Sequence, residues 1–315
     1  MSMFVVTGGG GFIGSNLVEA LLRRGDSVRA VDNFETGRRS NLEGAAQWAK
    51  AGGGSFQLLE DDIRDLDACR RAVSGADYVL HQAAIPSVQR SVTDPLATNE
   101  VNVGGTLNLL VAARDAKVKR FVMASSSSLY GESEVLPKVE TMAPAPISPY
   151  GLQKLAGETY CGIFYRLYGL PTVALRYFNV FGPRQDPGSE YSAVIPKFIS
   201  LIKKGAQPTI YGDGEQTRDF CYIANVVSAN LKACEAGAAA LGGAFNIACS
   251  DRISLNDLVT ILAGFSGRKV EAIHAPHRPG DIKHSLAGID KAQSLLGYRA
   301  EVSVRDGLRK TWELL

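Results

Sequence analysis

The sequence predicts an α/β fold: a doubly wound parallel sheet with helices on both faces and a smaller mixed α/β C-terminal part. Three observations predict it. Short apolar runs alternate with longer stretches of helical periodicity. A glycine-rich segment separates the first run from the first helical stretch. After about residue 180, prolines and a Gly-Asp-Gly turn break the alternation.

Taken in order, Phe4-Val5-Val6 reads as a strand that runs into glycine. Residues 12–24 place Phe12, Ile13, Leu17, Val18, Leu21 and Leu22 at helical spacing, and Gly25 stops that helix. Ser27–Val31 is the second strand, ending at Asp32. Further strands are expected at 56–59, 78–81, 121–124 and 172–175, with helices at 64–74, 99–115 and 149–168 between several of them. Continuous apolar strands separated by helices belong to parallel sheets covered on both faces.

Beyond residue 180, Pro183, Pro187, Pro196 and Pro208 punctuate the chain, and Gly212-Asp213-Gly214 marks a turn. A helix near 224–236, a strand at 244–247 and a helix at 254–264 follow. This divides the chain into residues 1–178, with a later return at about 219–248, and a mainly C-terminal domain over 179–315 interleaved with the first. No linker-like stretch separates the two. Ala236–Ala240 reads as a surface helix end, and no internal repeat is found.

At 315 residues, 45% hydrophobic and 21% charged, the composition is that of a globular protein and excludes a disordered chain, a collagen or a coiled coil. The net charge of +2 gives no electrostatic case for nucleic acid or an anionic membrane as partner. The five cysteines are scattered without a CxxC pair, which favours free thiols over a disulfide framework or a zinc site. Met-Ser-Met-Phe-Val-Val meets glycine too soon for a signal or spanning segment, so a soluble cytoplasmic protein is expected.

Thr7-Gly8-Gly9-Gly10-Gly11-Phe12-Ile13-Gly14 joins the first strand to the first helix, with Gly8, Gly11 and Gly14 spaced G-x-x-G-x-x-G. Such a loop brings backbone N–H groups and a helix N-terminus to a pyrophosphate; the alternative is a flexible turn. Asp32 falls 18 residues after Gly14 at a strand end. A carboxylate there accepts both ribose hydroxyls of NAD and repels a 2′-phosphate, although Arg38 and Arg39 nearby could serve NADP. Asp62-Ile63 follows the third strand and reads equally as an adenine-side contact or an acidic loop cap.

Ser148-Pro149-Tyr150 opens a helix, and Tyr150 and Lys154 share one of its faces. A lysine beside a phenol would lower the phenol's pKa toward working pH; the plain alternative is a surface helix. Ser125-Ser126-Ser127-Ser128-Leu129-Tyr130 follows a parallel strand at the end where α/β folds hold ligands, or is simply a polar loop. His274, His277 and His284 form a loose cluster without a cysteine, and no metal is expected.

Together TGGGGFIGSNL at 7–17, SSSSLYGESEVLPKVE at 125–140, SPYGLQKLAGE at 148–158, LRYFNVFGPRQDP at 175–187, AVIPKFI at 193–199, YGDGEQTRDFCYI at 211–223 and RPGDIKHS at 278–285 make the chain similar to the extended short-chain dehydrogenase/reductases. Within that family it most resembles the UDP-hexose 4-epimerases, especially those acting on UDP-N-acetylglucosamine and UDP-N-acetylgalactosamine. The resemblance implies a Rossmann-type first domain holding NAD and a C-terminal domain holding the UDP-sugar. It implies that Tyr150 is the catalytic base and acid, that Lys154 tunes it, and that Ser126 bonds the reacting sugar oxygen. It assigns the cofactor to Gly8, Gly11, Phe12, Ile13, Gly14, Asp32, Asn33, Asp62, Ile63, Tyr150, Lys154 and Tyr177, and places Phe178 beside the nicotinamide as well. It assigns the substrate to Ser87, Ser126, Tyr150, Asn179, Val194, Ile210, Arg218, Arg278, Asp281 and Ser285.

Two further implications are specific. Dehydratases and decarboxylases of the family carry acids just after the catalytic hydroxyl, where this chain has Ser127 and Ser128, which leaves the bare redox cycle of epimerisation. A small residue at Ser285 leaves room for a C2 acetamido group without requiring one. The helices at 99–115 and 149–168 would pair across a homodimer. A nicotinamide-dependent 4-keto-sugar reductase and a non-catalytic dinucleotide sensor are the competing readings.

Overall fold

Seven parallel strands form one sheet in a computed structural model of the chain, which describes residues 1–186, 194–277 and 283–315. In chain order the first half runs β1 (Met3–Thr7), α1 (Phe12–Arg23), β2 (Ser27–Val31), α2 (Ala45–Gly52), β3 (Phe56–Leu59), α3 (Leu66–Val73), β4 (Tyr78–His81), α4 (Val88–Thr93), α5 (Pro95–Asn99), α6 (Thr106–Asp115), β5 (Arg120–Ser126) and α7 (Pro149–Tyr168). The second half runs β6 (Thr172–Tyr177), β7 (Val180–Phe181), α8 (Val194–Lys203), β8 (Thr209–Tyr211), β9 (Thr217–Arg218), β10 (Cys221–Tyr222), α9 (Ile223–Glu235), β11 (Gly243–Ile247), β12 (Ile253–Ser254), α10 (Leu255–Ser266), β13 (Ile273–Ala275), α11 (Asp290–Leu296) and α12 (Val304–Leu314).

The strand order is β11-β6-β5-β4-β1-β2-β3. It reverses between β1 and β4, and a ligand crevice opens beyond the carboxyl ends of the strands at such a switch point. Strand alternation sends successive side chains to opposite faces. Phe4 and Val6 pack with Leu17, Leu21 and Val226 on one side, whereas Val5 packs with Val79, Phe121, Leu109 and Cys161 on the other. Three small two-stranded pairings, β7 with β10, β9 with β12 and β8 with β13, organise the chain after β6. β11 nevertheless returns to the main sheet beside β6.

Local chemistry sets the ends that matter for the site. Ser148 Oγ accepts the Gly151 N–H at 3.1 Å, Pro149 occupies the first turn, and left-handed Gly169 ends α7. α1 begins at Gly11 without a side-chain cap, so its first N–H groups remain available to a ligand.

Several expectations are corrected. The stretch 99–115 is not one regular helix: Glu100–Gly105 is wound as a π-helix between α5 and α6, turning Asn102 onto both backbone groups of Ile85. Helices α2, α4, α5, α8, α11 and α12 were not anticipated. Ala236 ends α9, and Ala238–Ala240 forms a 3₁₀ turn whose last alanine is buried. Among the described residues all five cysteines are free, and no helix is long and apolar enough to cross a membrane.

Candidate active site

A cavity of about 830 Å³ runs along the carboxyl ends of the central strands. Gly8, Gly11, Phe12, Ile13 and Gly14 line it at the start of α1. Gly8 needs its left-handed φ of 67°, and its N–H donates to the Val31 carbonyl at 2.8 Å. A Cβ on Gly14 would lie 2.0 Å from the Gly8 carbonyl oxygen, so loop and helix touch backbone to backbone. This close cradle, with uncapped N–H donors above it, fits a pyrophosphate.

Asp32 lies at the end of β2 and is nearly buried. Its two oxygens accept the Gly10 and Phe34 N–H groups, each at 2.8 Å. Burial raises its pKa against those bonds. The Gly11 amide also faces the carboxylate, which keeps a further lone pair for a ribose hydroxyl. Arg38 is paired with Asp186, and Arg39 with Glu60 while stacking on Phe34 at 4.2 Å. Asn33 donates to Asp62 at 2.8 Å, and the Arg64 guanidinium holds the Asp62 carboxyl down at about 2. Asp62 and Ile63 both line the cavity, Ile63 with its side chain buried toward Gly105. Glu35 and Arg90, absent from the sequence expectations, form an ion pair on the same lining.

Tyr150, Ser126 and Lys154 come together at the other end. The Ser126 hydroxyl lies close enough to the Tyr150 phenol to favour its ionised form against burial. Ser126 Oγ also accepts the Ser128 hydroxyl at 2.9 Å and the Ser128 N–H at 3.2 Å, so its own proton is free to point at Tyr150. Lys154 Nζ donates to the Ala124 carbonyl at 2.9 Å and stands 5.8 Å from the Tyr150 ring centre. The expected lowering of the phenol is corrected here. Burial pushes Tyr150 up to about 12, with the Ser126 bond pulling the other way, and burial brings Lys154 down to about 8. The ammonium is engaged with a carbonyl rather than with the phenol oxygen.

Tyr177 lines the cavity, with its hydroxyl held by the Asn230 amide at 2.8 Å and donating to Gln82 at 3.2 Å. Sequence reasoning missed Gln82 and Asn230; the position of Gln82 just past a strand's carboxyl end was the available signal. Phe178 is not beside the cavity. It is buried in the core, its ring centre 6.1 Å from that of Tyr130. Adjacent residues in extended backbone face opposite ways, which sends the Tyr177 and Phe178 side chains apart. His81 bridges Thr7 at 2.8 Å and Thr106 at 2.9 Å, and burial pushes it down to about 3. The Thr106 hydroxyl donates to the Asn102 carbonyl, so His81 Nε2 carries the ring proton and the group is structural.

A second cavity of about 300 Å³ adjoins the first at Asn179 and Val180. Val194, Ile210 and Arg218 line it with Phe198 and Tyr211. Arg218 Nη1 donates to the Thr217 carbonyl at 2.9 Å. Ser87 lines the larger cavity and caps α4 through the Arg90 N–H. The Ser285 N–H donates to the Thr217 carbonyl at 3.0 Å, but Ser285 is not among the described lining residues of either cavity. Arg278 and Asp281 lie outside the described residues. His274 bonds the Gly212 carbonyl and His284 the Thr217 hydroxyl. Among the described residues no group of three His, Cys, Asp or Glu side chains could hold a metal ion.

Comparison with known proteins agrees with this geometry. The model of the NAD dependent epimerase/dehydratase family matches residues 4–248. A UDP-glucose 4-epimerase of Mycolicibacterium smegmatis is 38% identical over 311 residues, covering 98% of this chain and 97% of that protein. A UDP-N-acetylglucosamine 4-epimerase from Methanobrevibacter ruminantium, solved with UDP-N-acetylmuramic acid, superposes with a TM-score of 0.93 at 39% identity, covering 99% and 97% of the two chains. A UDP-glucose 4-epimerase from Thermotoga maritima, solved with UDP-glucose, gives a TM-score of 0.91 at 37% identity, covering 100% and 98%.

Proposed function

The chain belongs to the NAD dependent epimerase/dehydratase family, and from that premise we propose that it inverts C4 of UDP-hexoses. The substrates are UDP-N-acetylglucosamine and UDP-N-acetylgalactosamine together with UDP-glucose and UDP-galactose. One observation carries the choice of reaction. The cavity's proton-handling groups are segregated: hydroxyls gather at the β5 and β6 ends, as Ser126, Ser127, Ser128, Tyr150 and Tyr177, while Asp32, Asp61 and Asp62 lie at the β2 and β3 ends, and the other two lining carboxylates, Glu35 and Asp186, are paired with Arg90 and with Arg38 beyond β2. β5 and β2 are three strand spacings apart, about 14 Å. A carboxylate that far away cannot serve the proton steps of elimination or decarboxylation at the sugar.

Gly8, Gly11 and Gly14 with the start of α1 would hold the cofactor pyrophosphate, and Asp32 its adenosine ribose. Bound NAD supplies the two-electron acceptor for C4 and returns the same electrons, so the cycle has no net redox change. In the loaded enzyme, where the positive nicotinamide would stand beside it and lower its pKa, Tyr150 as phenolate would take the proton from the sugar 4-hydroxyl and later give it back. Ser126 donates to the oxygen that is losing its proton. Lys154, pinned on the Ala124 carbonyl, keeps a positive charge beside the phenol ring below pH about 8. Asn179, Val194, Ile210 and Arg218 would anchor the nucleotide in the second cavity, and Arg278 and Asp281 would complete it. Inversion then requires only that the sugar present its other face while the anchor stays put.

α7 exposes Leu152, Leu167 and Tyr168, a surface suited to pairing with a second copy of the chain. The five free thiols of the chain suit the cytoplasm. The test is incubation with UDP-N-acetylglucosamine and, separately, UDP-glucose, followed by separation of the C4 epimers. Each substrate is expected to yield its epimer. If neither does so even with NAD added, and NADPH is consumed with a 4-keto sugar instead, the reading is overturned in favour of a reductase.

A further inference from the structure

Tyr150 and Lys154 occupy one face of α7, and Glu158 is the next residue on it, eight positions after Tyr150. Its side chain is only 11% exposed. The carboxylate accepts the Ser125 hydroxyl at 2.8 Å from β5. It also accepts Arg176 from β6 in a two-pronged pair, Nε at 3.0 Å and Nη2 at 2.6 Å. These partners are not scattered. Ser125 faces Arg176 in the β5–β6 register, and the next pair along is Ser126 and Tyr177, both on the cavity lining. The ion pair therefore ties α7 to the two strands one residue inward of the reacting hydroxyls. Arg176 Nη1 reaches the Tyr130 hydroxyl at 2.6 Å, and Tyr130 closes the turn that carries Ser127 and Ser128. The Tyr130 hydroxyl donates in turn to Asn246 on β11 at 2.7 Å.

A buried ion pair is a poor way to gain stability, because apolar side chains of similar size do as well or better. What a two-pronged Arg–carboxylate pair does provide is direction. From this we propose that Glu158, acting with Arg176 and Ser125, is a positioning unit that holds the Ser126 hydroxyl against Tyr150. The inference rests on the reading of Tyr150 and Ser126 as the reacting pair. Glu158 touches no reacting atom; it acts through Ser125 on Ser126. Displacements of about 1 Å in such a pair can cost 100-fold in rate.

Two variants test it. Ser125→Ala removes the tie to the strand while leaving the Glu158–Arg176 pair satisfied. Glu158→Leu combined with Arg176→Met replaces the pair by apolar groups and strands no charge. The readouts are kcat, KM for the UDP-hexose, NAD content and the Ser126–Tyr150 contact in crystals of each variant. The double variant is expected to keep its melting temperature, NAD content and KM, to lose at least tenfold in kcat, and to show Ser126 out of hydrogen-bond range of Tyr150. Ser125→Ala should show the same split, several-fold in kcat. A kcat within twofold of wild type with the contact intact overturns the proposal, and Ser125→Ala alone decides it if the double variant does not fold. If the wild-type protein epimerises no UDP-hexose, the functional reading fails while the crystallographic contact still reports on the positioning unit.

Discussion

Replacing Gly14 by alanine perturbs one atom at the point where the dinucleotide cradle is tightest. The added Cβ would stand 2.0 Å from the Gly8 carbonyl oxygen, 2.7 Å from its carbon and 3.0 Å from Gly9 Cα. The contact with the oxygen must open by more than 1 Å. The loop cannot yield, because the Gly8 carbonyl accepts the Gly11 N–H at 3.0 Å and the Gly8 N–H is held by Val31. The start of α1 must therefore move, although Leu17, Val18, Leu21 and Leu22 fix that helix in the core. Overpacking of this kind costs about 1–3 kcal/mol. Borne by the cofactor site, that is roughly a 5- to 150-fold loss of NAD affinity. The assay is NAD released from the purified variant, together with a binding titration. Gly264→Ala is the control: nothing lies within 4 Å of its added Cβ, it sits inside α10, and it is expected to stabilise the chain by about 0.5–1 kcal/mol. NAD affinity in Gly14→Ala within twofold of wild type would refute the cradle.

Tyr150→Phe is expected to lower kcat by on the order of 10²–10⁴ while leaving NAD content and UDP-sugar affinity nearly unchanged; full activity contradicts the assigned role. In the cofactor-free protein the Tyr150 phenol ionises only near pH 12, so its contribution to stability is complete below the ordinary tyrosine range and lost as pH rises through that value. An ultraviolet difference titration of wild type against Tyr150→Phe checks this, and a phenolate signal near neutral pH refutes it. Lys154 runs the opposite way: its contribution to stability is present above the ordinary lysine range and lost as pH falls toward 8. Lys154→Met removes a burial cost of about 3 kcal/mol and forfeits a hydrogen bond worth about 1–2, so the inactive variant should melt a few degrees higher at pH 7; a lower melting temperature contradicts that. Light scattering is expected to give a dimer that Leu152→Glu with Leu167→Glu converts to monomer, and a monomeric wild type refutes the pairing surface.

The parallel sheet was legible because strands buried on both faces read as unbroken apolar runs, and because each ends on an interpretable residue such as Asp32 or Ser126. α8 was hidden by Pro196, which the first turn of a helix tolerates. α12 fully buries only Val304, Gly307, Leu308 and Thr311, with Trp312 partly covered, too few apolar groups to stand out among its charges. The spacing of Tyr150 and Lys154 was legible, but the state of the phenol was not. It depends on where the ammonium points, and the carbonyl that takes it belongs to Ala124, some thirty residues earlier in the chain. Glu158 shares the stripe of Tyr150 and Lys154, yet its partners come from two strands, which only the fold brings together.

The central claim is that C4 is oxidised and reduced again by one resident cofactor. The most direct test supplies UDP-hexose deuterated at C4 to the purified protein in ordinary water with no NAD added. The C4 epimer is expected to form, and both epimers to retain the deuterium. Epimers that lose deuterium to solvent, or the absence of epimer together with a released 4-keto sugar, would contradict it.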